Sequence, residues 1–303
     1  MKRVLCLSGG GAKGIAQLQV LRQLEKDFNK PLCECYDLIG ATSVGAINGS
    51  LIATGKISMD ELDELYFEFL EKIFKRKRFF RTPLYDRNNF LDVWENIIGE
   101  DFLMADVKTK LMLTSVEIVS NTNRFFKSWK PDDGREQLSE FVCRSFAAPL
   151  YFGYIIDFLN KKIYADGGIG SANLPLDEVK LQSEVFNWYD NGPNESDNKV
   201  IIDVIGSLYS ENDSSFERLA RNRWLGQILQ MIKPKDGGMA RFQSREDQVR
   251  KMKFISENNP NISFRYWDHP VDKKANKLNG VEYKEYYKEL GKIMAKNPII
   301  DIN

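Results

Sequence analysis

Apolar residues along this chain come in short runs punctuated by glycine, and the first run already shows the scheme. Arg3 to Leu7 is a β-rich stretch that stops at Gly9-Gly10-Gly11. From Ile15 to Phe28 the pattern switches to helical spacing, with Leu18, Leu21 and Leu24 three apart. The unit then repeats: Asp37 to Thr42 reads as a second strand, Ser43-Val44-Gly45 as a turn, and Ala46 to Thr54 as a small-residue helix stopped by Gly55. Two such units in succession predict parallel strands covered by helices.

Further on, Ser58-Met59-Asp60-Glu61 reads as a capping box, and Leu62, Leu65, Tyr66, Phe69, Leu70, Ile73 and Phe74 follow at helical spacing. Leu111 to Val119 and Arg124 to Trp129 predict two strands around a Ser120-Asn121-Thr122-Asn123 turn. A helix over Arg135 to Ala147 must end before Pro149. Ile163-Tyr164-Ala165 is a brief strand that feeds Asp166-Gly167-Gly168, and Val200 to Ile205 is another buried strand. The polar stretch Asn187 to Asn198 reads as a surface loop, followed by a helical region Ser214 to Ile232 and a gap around Pro234 to Gly238. A helix near Ser244 to Ser256, a strand Ile262 to Trp267 and a terminal helix from about Gly280 complete the pattern. No repeat, low-complexity tract or linker divides it, so residues 1–303 are expected to form one domain.

Composition narrows the function classes. With 43 Lys+Arg against 43 Asp+Glu the formal charge is zero, which argues against a protein built around nucleic-acid phosphates. The 43% apolar content excludes disorder. The longest apolar stretch, Phe146 to Ile156, is broken by Pro149 and Gly153 and is far shorter than the ~18–20 residues of a membrane span. The run after Lys2-Arg3 is too short for a signal peptide, so a cytoplasmic protein making peripheral contact with membranes is expected. Cysteines 6, 33, 35 and 143 form no C-x-x-C, and His269 is the sole histidine, so no metal site is expected.

Three turns carry the candidate chemistry. Gly9-Gly10-Gly11-Ala12-Lys13-Gly14 fits G-x-G-x-x-G between a strand and a helix, and such a turn can cradle a pyrophosphate, hold a transient oxyanion, or simply be tight. Ala41-Thr42-Ser43-Val44-Gly45 has the layout of a nucleophile elbow, with Ala41 where G-x-S-x-G has its first glycine and Gly40 just before it. Asp166-Gly167-Gly168 ends a third strand. All three are expected to converge on one edge of a parallel sheet, where α/β enzymes place their sites.

These motifs, with Arg144-Ser145-Phe146-Ala147-Ala148-Pro149-Leu150-Tyr151-Phe152, are similar in order and spacing to those of the patatin-like phospholipases over about residues 3 to 175. The resemblance implies a three-layer α/β/α fold with a largely parallel central sheet. It also implies a lipid acyl hydrolase, of phospholipase A or lysophospholipase type, that needs no metal or organic cofactor. Ser43 would be the nucleophile and Asp166 the base of a dyad. Backbone N–H groups of Gly9, Gly10, Gly11 and Ala12 would form the oxyanion hole, with Gly14, Ala41, Gly45, Gly167 and Gly168 shaping the turns. Lys13 stands where the family has a basic residue, read either as a phosphate contact or as a solvent-exposed helix start. Two rivals stay open: a catalytically silent lipid-binding module of the same fold, and a nucleotide-binding α/β protein. The basic, aromatic segment Lys75-Arg76-Lys77-Arg78-Phe79-Phe80-Arg81 is a candidate membrane-surface contact set against a plain solvated turn. Head-group preference, oligomeric state and any activating partner are not written in these motifs.

Overall fold

The structure, a computed structural model, describes residues 1–77, 83–170, 172–188, 199–209 and 238–302, the side chains of 238–244 excepted. The expected helix over 214–232, most of the 187–198 loop, and Arg78, Phe79, Phe80 and Arg81 of the basic segment lie outside the described residues.

Strands β1 (Lys2–Leu7), β2 (Leu38–Thr42), β3 (Lys110–Glu117), β7 (Val200–Ile205) and β8 (Ile262–Trp267) form a parallel centre in the spatial order β3-β2-β1-β7-β8. The flanks are antiparallel: β4 (Thr122–Lys127) and β6 (Lys162–Asp166) pair with β3, β5 (Ile155–Asp157) with β6, and β9 (Ile300–Ile302) with β8.

Alternation along the strands builds two cores. Leu5 and Leu7 of β1 and Ile39 and Ala41 of β2 face one side. They pack with helices α1 (Gly14–Phe28), α3 (Val44–Thr54), α4 (Met59–Ile73), α5 (Asn88–Ile97), α7 (Leu138–Phe146) and α10 (Lys284–Lys296). Val4 and Cys6, with Val200, Ile202 and Val204, face the other side, under α8 (Leu176–Val185) and α9 (Gly238–Glu257). Two one-turn helices, α2 (Leu32–Cys35) and α6 (Pro131–Gly134), sit in connections.

The local signals explain most boundaries. Ser58 and Glu61 close a reciprocal capping box on α4. Gly55 ends α3 in the left-handed region at φ 59°. The helix expected from Arg135 starts instead at Leu138, because Gln137 is extended and Leu138 N–H donates to the Phe102 carbonyl. All four cysteines are free thiols, and three are buried.

Candidate active site

Parallel register places the ends of β1 and β2 side by side, Leu7 opposite Ala41. The third strand reaches them differently from expectation. Because β4 takes one edge of β3, β2 and β6 share the other: Thr42 pairs with Thr114 and Asp166 with the next residue, Ser115. Strand β6 therefore runs antiparallel toward the end of β2, and the two chains meet head to head. The convergence that the sequence predicts is present, but Asp166 arrives on an antiparallel strand from the opposite direction rather than at the end of a parallel one.

That meeting brings Ser43 Oγ to 2.7 Å from Asp166 Oδ2, as donor to the carboxylate. Ser43 sits at φ 55°, ψ −123°, a region costing a non-glycine residue about 1–3 kcal/mol. The surroundings enforce it. Ser43 N–H donates to Ser145 Oγ at 3.0 Å, whose own proton goes to the Thr114 carbonyl at 2.6 Å. The Ser43 carbonyl accepts from Ala46 and Ile47 as α3 begins. A Cβ at Gly45 would stand 2.7 Å from the carbonyl oxygens of both Leu7 and Ser8, so only glycine lets α3 start this close to β1.

Asp166 is held with similar care. Its Oδ1 accepts the Gly168 N–H at 2.6 Å, and its own N–H donates to the Ala147 carbonyl. A Cβ at Gly167 would lie 2.6 Å from the Thr114 carbonyl oxygen. Both reacting side chains are nearly buried, Ser43 at 7% and Asp166 at 8% exposure.

The glycine turn after β1 passes directly over the elbow: a Cβ on Gly9 would be 2.9 Å from Ser43 Cβ. Of the four N–H groups expected to face an oxyanion, two are spent inside the protein. Gly9 N–H donates to the Asn173 carbonyl and Ala12 N–H to the Leu278 carbonyl. Gly10 and Gly11 N–H meet no protein acceptor among the described residues. Gly11 holds φ 62°, and a Cβ there would collide with the Leu278 carbonyl at 2.0 Å. Helix α1 starts at once, so its positive end points the same way.

Lys13 fits neither expectation. It is buried, donating Nζ to Asn276 Oδ1 at 2.7 Å and to the Leu208 carbonyl at 3.2 Å. Desolvation lowers its pKa to about 8, partly opposed by Asp268. Below the turn a buried amide relay ties three helices to the strand ends. Gln17 Nε2 donates to the carbonyls of Ser8 and Ile205, while Asn48 bridges Gly14, Gln17 and Tyr66. Sequence reasoning missed Gln17, Asn173, Ser207 and Leu278, which have no motif of their own. His269 lies elsewhere in the chemistry: its Nδ1 pairs with the Pro270 carbonyl.

An apolar pocket opens onto the pair, lined by Ile47, Leu70, Ile73, Phe146 and Phe152 beside Ser43 and Asp166. Among the described residues there is no group of three or more His, Cys, Asp or Glu that could hold a metal ion, and no helix is long and apolar enough to cross a membrane. Lys75, Arg76 and Lys77 are exposed, and Arg76 pairs with Tyr85.

An acid–serine pair in an apolar pocket, under a glycine turn at the edge of an α/β sheet, defines a serine-type ester hydrolase class. The comparisons narrow it: the patatin-like phospholipase family matches residues 5–180. A cGAMP-activated phospholipase of Escherichia coli (strain TW11681) is 30% identical over 74% of this chain and 67% of its own length. A cGAMP-activated phospholipase of Vibrio cholerae is 30% identical over 56% of this chain and 55% of its own. Calcium-independent phospholipase A2-gamma of Oryctolagus cuniculus is 28% identical over 55% of this chain and 24% of its own. The chain belongs to the patatin-like phospholipases, a family of serine-type lipid acyl hydrolases.

Proposed function

We propose that this chain hydrolyses acyl esters of phospholipids or lysophospholipids through Ser43 and Asp166, and the 2.7 Å hydrogen bond between them inside an apolar pocket carries the reading. Asp166 accepts the Ser43 proton as Oγ attacks the acyl carbonyl. Gly10 and Gly11 N–H, free of protein acceptors among the described residues and reinforced by the α1 terminus, stabilise the oxyanion. Collapse expels the lysolipid or glycerol alkoxide, which takes the proton back from Asp166. Water, deprotonated by the same carboxylate, then releases the fatty acid and returns the proton to Ser43. The pocket's apolar lining receives the acyl chain, and no step calls for a metal or organic cofactor.

A fluorophosphonate probe should label the parent at Ser43 and leave Ser43→Ala unlabelled. Incubation with mixed phospholipids, followed by mass spectrometry, should show fatty acid and lysolipid from the parent alone. Three relatives are named for activation by cGAMP, so both assays are run with and without it. Absence of both labelling and lipid turnover in either condition would favour the silent lipid-binding reading.

A further inference from the structure

Two hairpins extend past the end of β2, on the edge of the sheet where the site opens. β3 runs three residues beyond its pairing with Thr42 before turning into β4. β6 returns antiparallel along that extension, so the β5–β6 turn lies out on the same side. Strand rise of ~3.3 Å per residue puts that turn roughly 13–17 Å from Asp166.

Both turns expose apolar side chains: Phe158 is 82% and Leu159 96% exposed on one, Val119 70% on the other. Behind them the register sets Ile118, one residue past β3, beside Ile163 of β6 and Ile156 of β5. Ile118 and Ile156 are exposed, whereas Glu117, Tyr164 and Ile155, on the opposite face, are buried. Leu150 and Tyr154 are also exposed, and between them in the chain Tyr151 and Phe152 line the pocket.

Both turns are braced by a carboxylate. Asp157 accepts from both the Asn160 N–H and its side-chain amide at 2.9 Å, and Glu117 accepts from the Val119 and Ser120 N–H groups at 2.9 Å. Exposed Lys161 stands in the β5–β6 turn itself, with half-buried Lys162 next to it.

We propose that the β5–β6 turn, with Phe158 and Leu159 as anchors and Val119 beside them, docks on an anionic phospholipid surface and sets the pocket mouth against it. This rests on the lipid-hydrolase reading for its choice of occupant. Rigid apolar tips with Lys161 between them and the strand, on the sheet edge where an apolar pocket opens, match an interface of acyl chains below charged head groups. A single exposed side chain needs no such explanation, but a row across three strands and two braced turns does.

The test keeps docking apart from chemistry by measuring binding in a Ser43→Ala background. Partition to vesicles of phosphatidylcholine with phosphatidylglycerol should fall at least about tenfold in Phe158→Ser/Leu159→Ser. With Ser43 intact, that double variant should hydrolyse a short-chain soluble ester within about twofold of the parent. In a Phe158→Trp variant, the emission added by the new indole should be quenched by brominated lipid on vesicle addition. Unchanged partition, or an unquenched reporter in a protein that still turns over the soluble ester, would overturn the proposal. So would a shift from dimer to monomer caused by the double variant in lipid-free solution, which would make the face a contact between copies. Loss of labelling by a fluorophosphonate would count against the hydrolase reading and leave the partition result standing.

Discussion

The serine elbow and the glycine turn touch each other, yet they are built from different parts of the chain. Every group that bends the backbone at Ser43 comes from residues between Leu7 and Gly168: the Ser145 hydroxyl, the Thr114 carbonyl, the Leu7 and Ser8 carbonyls against Gly45, and Asp166. The glycine turn depends on later residues. Ser207 Oγ donates to the Gly9 carbonyl, Asn173 pairs with Gly9, Leu278 takes the Ala12 N–H, and Lys13 reaches Leu208 and Asn276. The matched family region ends at residue 180. Thus the nucleophile is completed within that region, while the oxyanion donors are aimed partly by residues beyond it.

The strongest way to break this comparison is at the elbow. Ser43→Ala and Asp166→Asn should each cut acyl hydrolysis by about 10³-fold or more, with circular dichroism unchanged. His269→Ala should keep most activity, because its ring bonds the Pro270 carbonyl. A folded histidine variant as dead as Ser43→Ala would replace the dyad by a triad.

The turn should respond next. Gly11→Ala places a methyl 2.0 Å from the Leu278 carbonyl at a positive φ, so the turn must move and carry its donors off the oxyanion. Loss of one such donor costs about 10²–10³ in kcat. The expected result is a kcat loss of that size with KM little changed. Equal activity would mean that the C-terminal brace does not aim the donors.

What was legible in the sequence follows the same division. The elbow, the glycine turn and Asp166 each sit where a strand's period-2 pattern stops at small residues, and that discontinuity can be read locally. Asn173, Ser207 and Leu278 act through single hydroxyl, amide or carbonyl groups in irregular segments, where no periodicity marks them. Helices α5 and α8 and strands β5 and β9 also went unassigned. The three-residue strands β5 and β9 are too short to show alternation, and α8 carries only Leu176 and Val179 as buried apolar residues. Helix α5 had a usable signal in Phe90, Leu91 and Trp94 at helical spacing. Lys13 was misread because a lysine at a helix start is ordinarily solvated, whereas here a loop some 260 residues later covers it.

That buried lysine gives a pH test of the brace. Its folded pKa, about 8, lies below the ordinary lysine value of 10.5, so the unfolded chain binds the extra proton between those limits. Stability should therefore rise as pH climbs from about 8 toward 10.5, and the gain is lost as pH falls back through 8. The difference in Tm between parent and Lys13→Met isolates the effect, since the other titrating groups are common to both. A difference that stays flat from pH 7 to 10 would show that burial does not lower the pKa of Lys13.

The smallest effect is expected at Ala41, where this elbow departs from G-x-S-x-G. Side chains alternate along β2, and Ala41 faces the α3 side: its Cβ lies 3.1 Å from where a Cβ on Gly49 would stand. Its methyl is fully buried there and does not enter the turn at Ser43. The tight approach is at Gly45 instead, where backbone carbonyls of β1 leave no room. Ala41→Gly should therefore leave kcat/KM within about tenfold of the parent and lower stability by roughly 0.5–1 kcal/mol, the entropic cost of a glycine within a strand. Gly45→Ala, with the same one-methyl change on the other side of the serine, should misplace the elbow and lose far more activity. A large gain in Ala41→Gly would show that the methyl does restrict the nucleophile, and would move the constraint from the helix side of the elbow to its strand side.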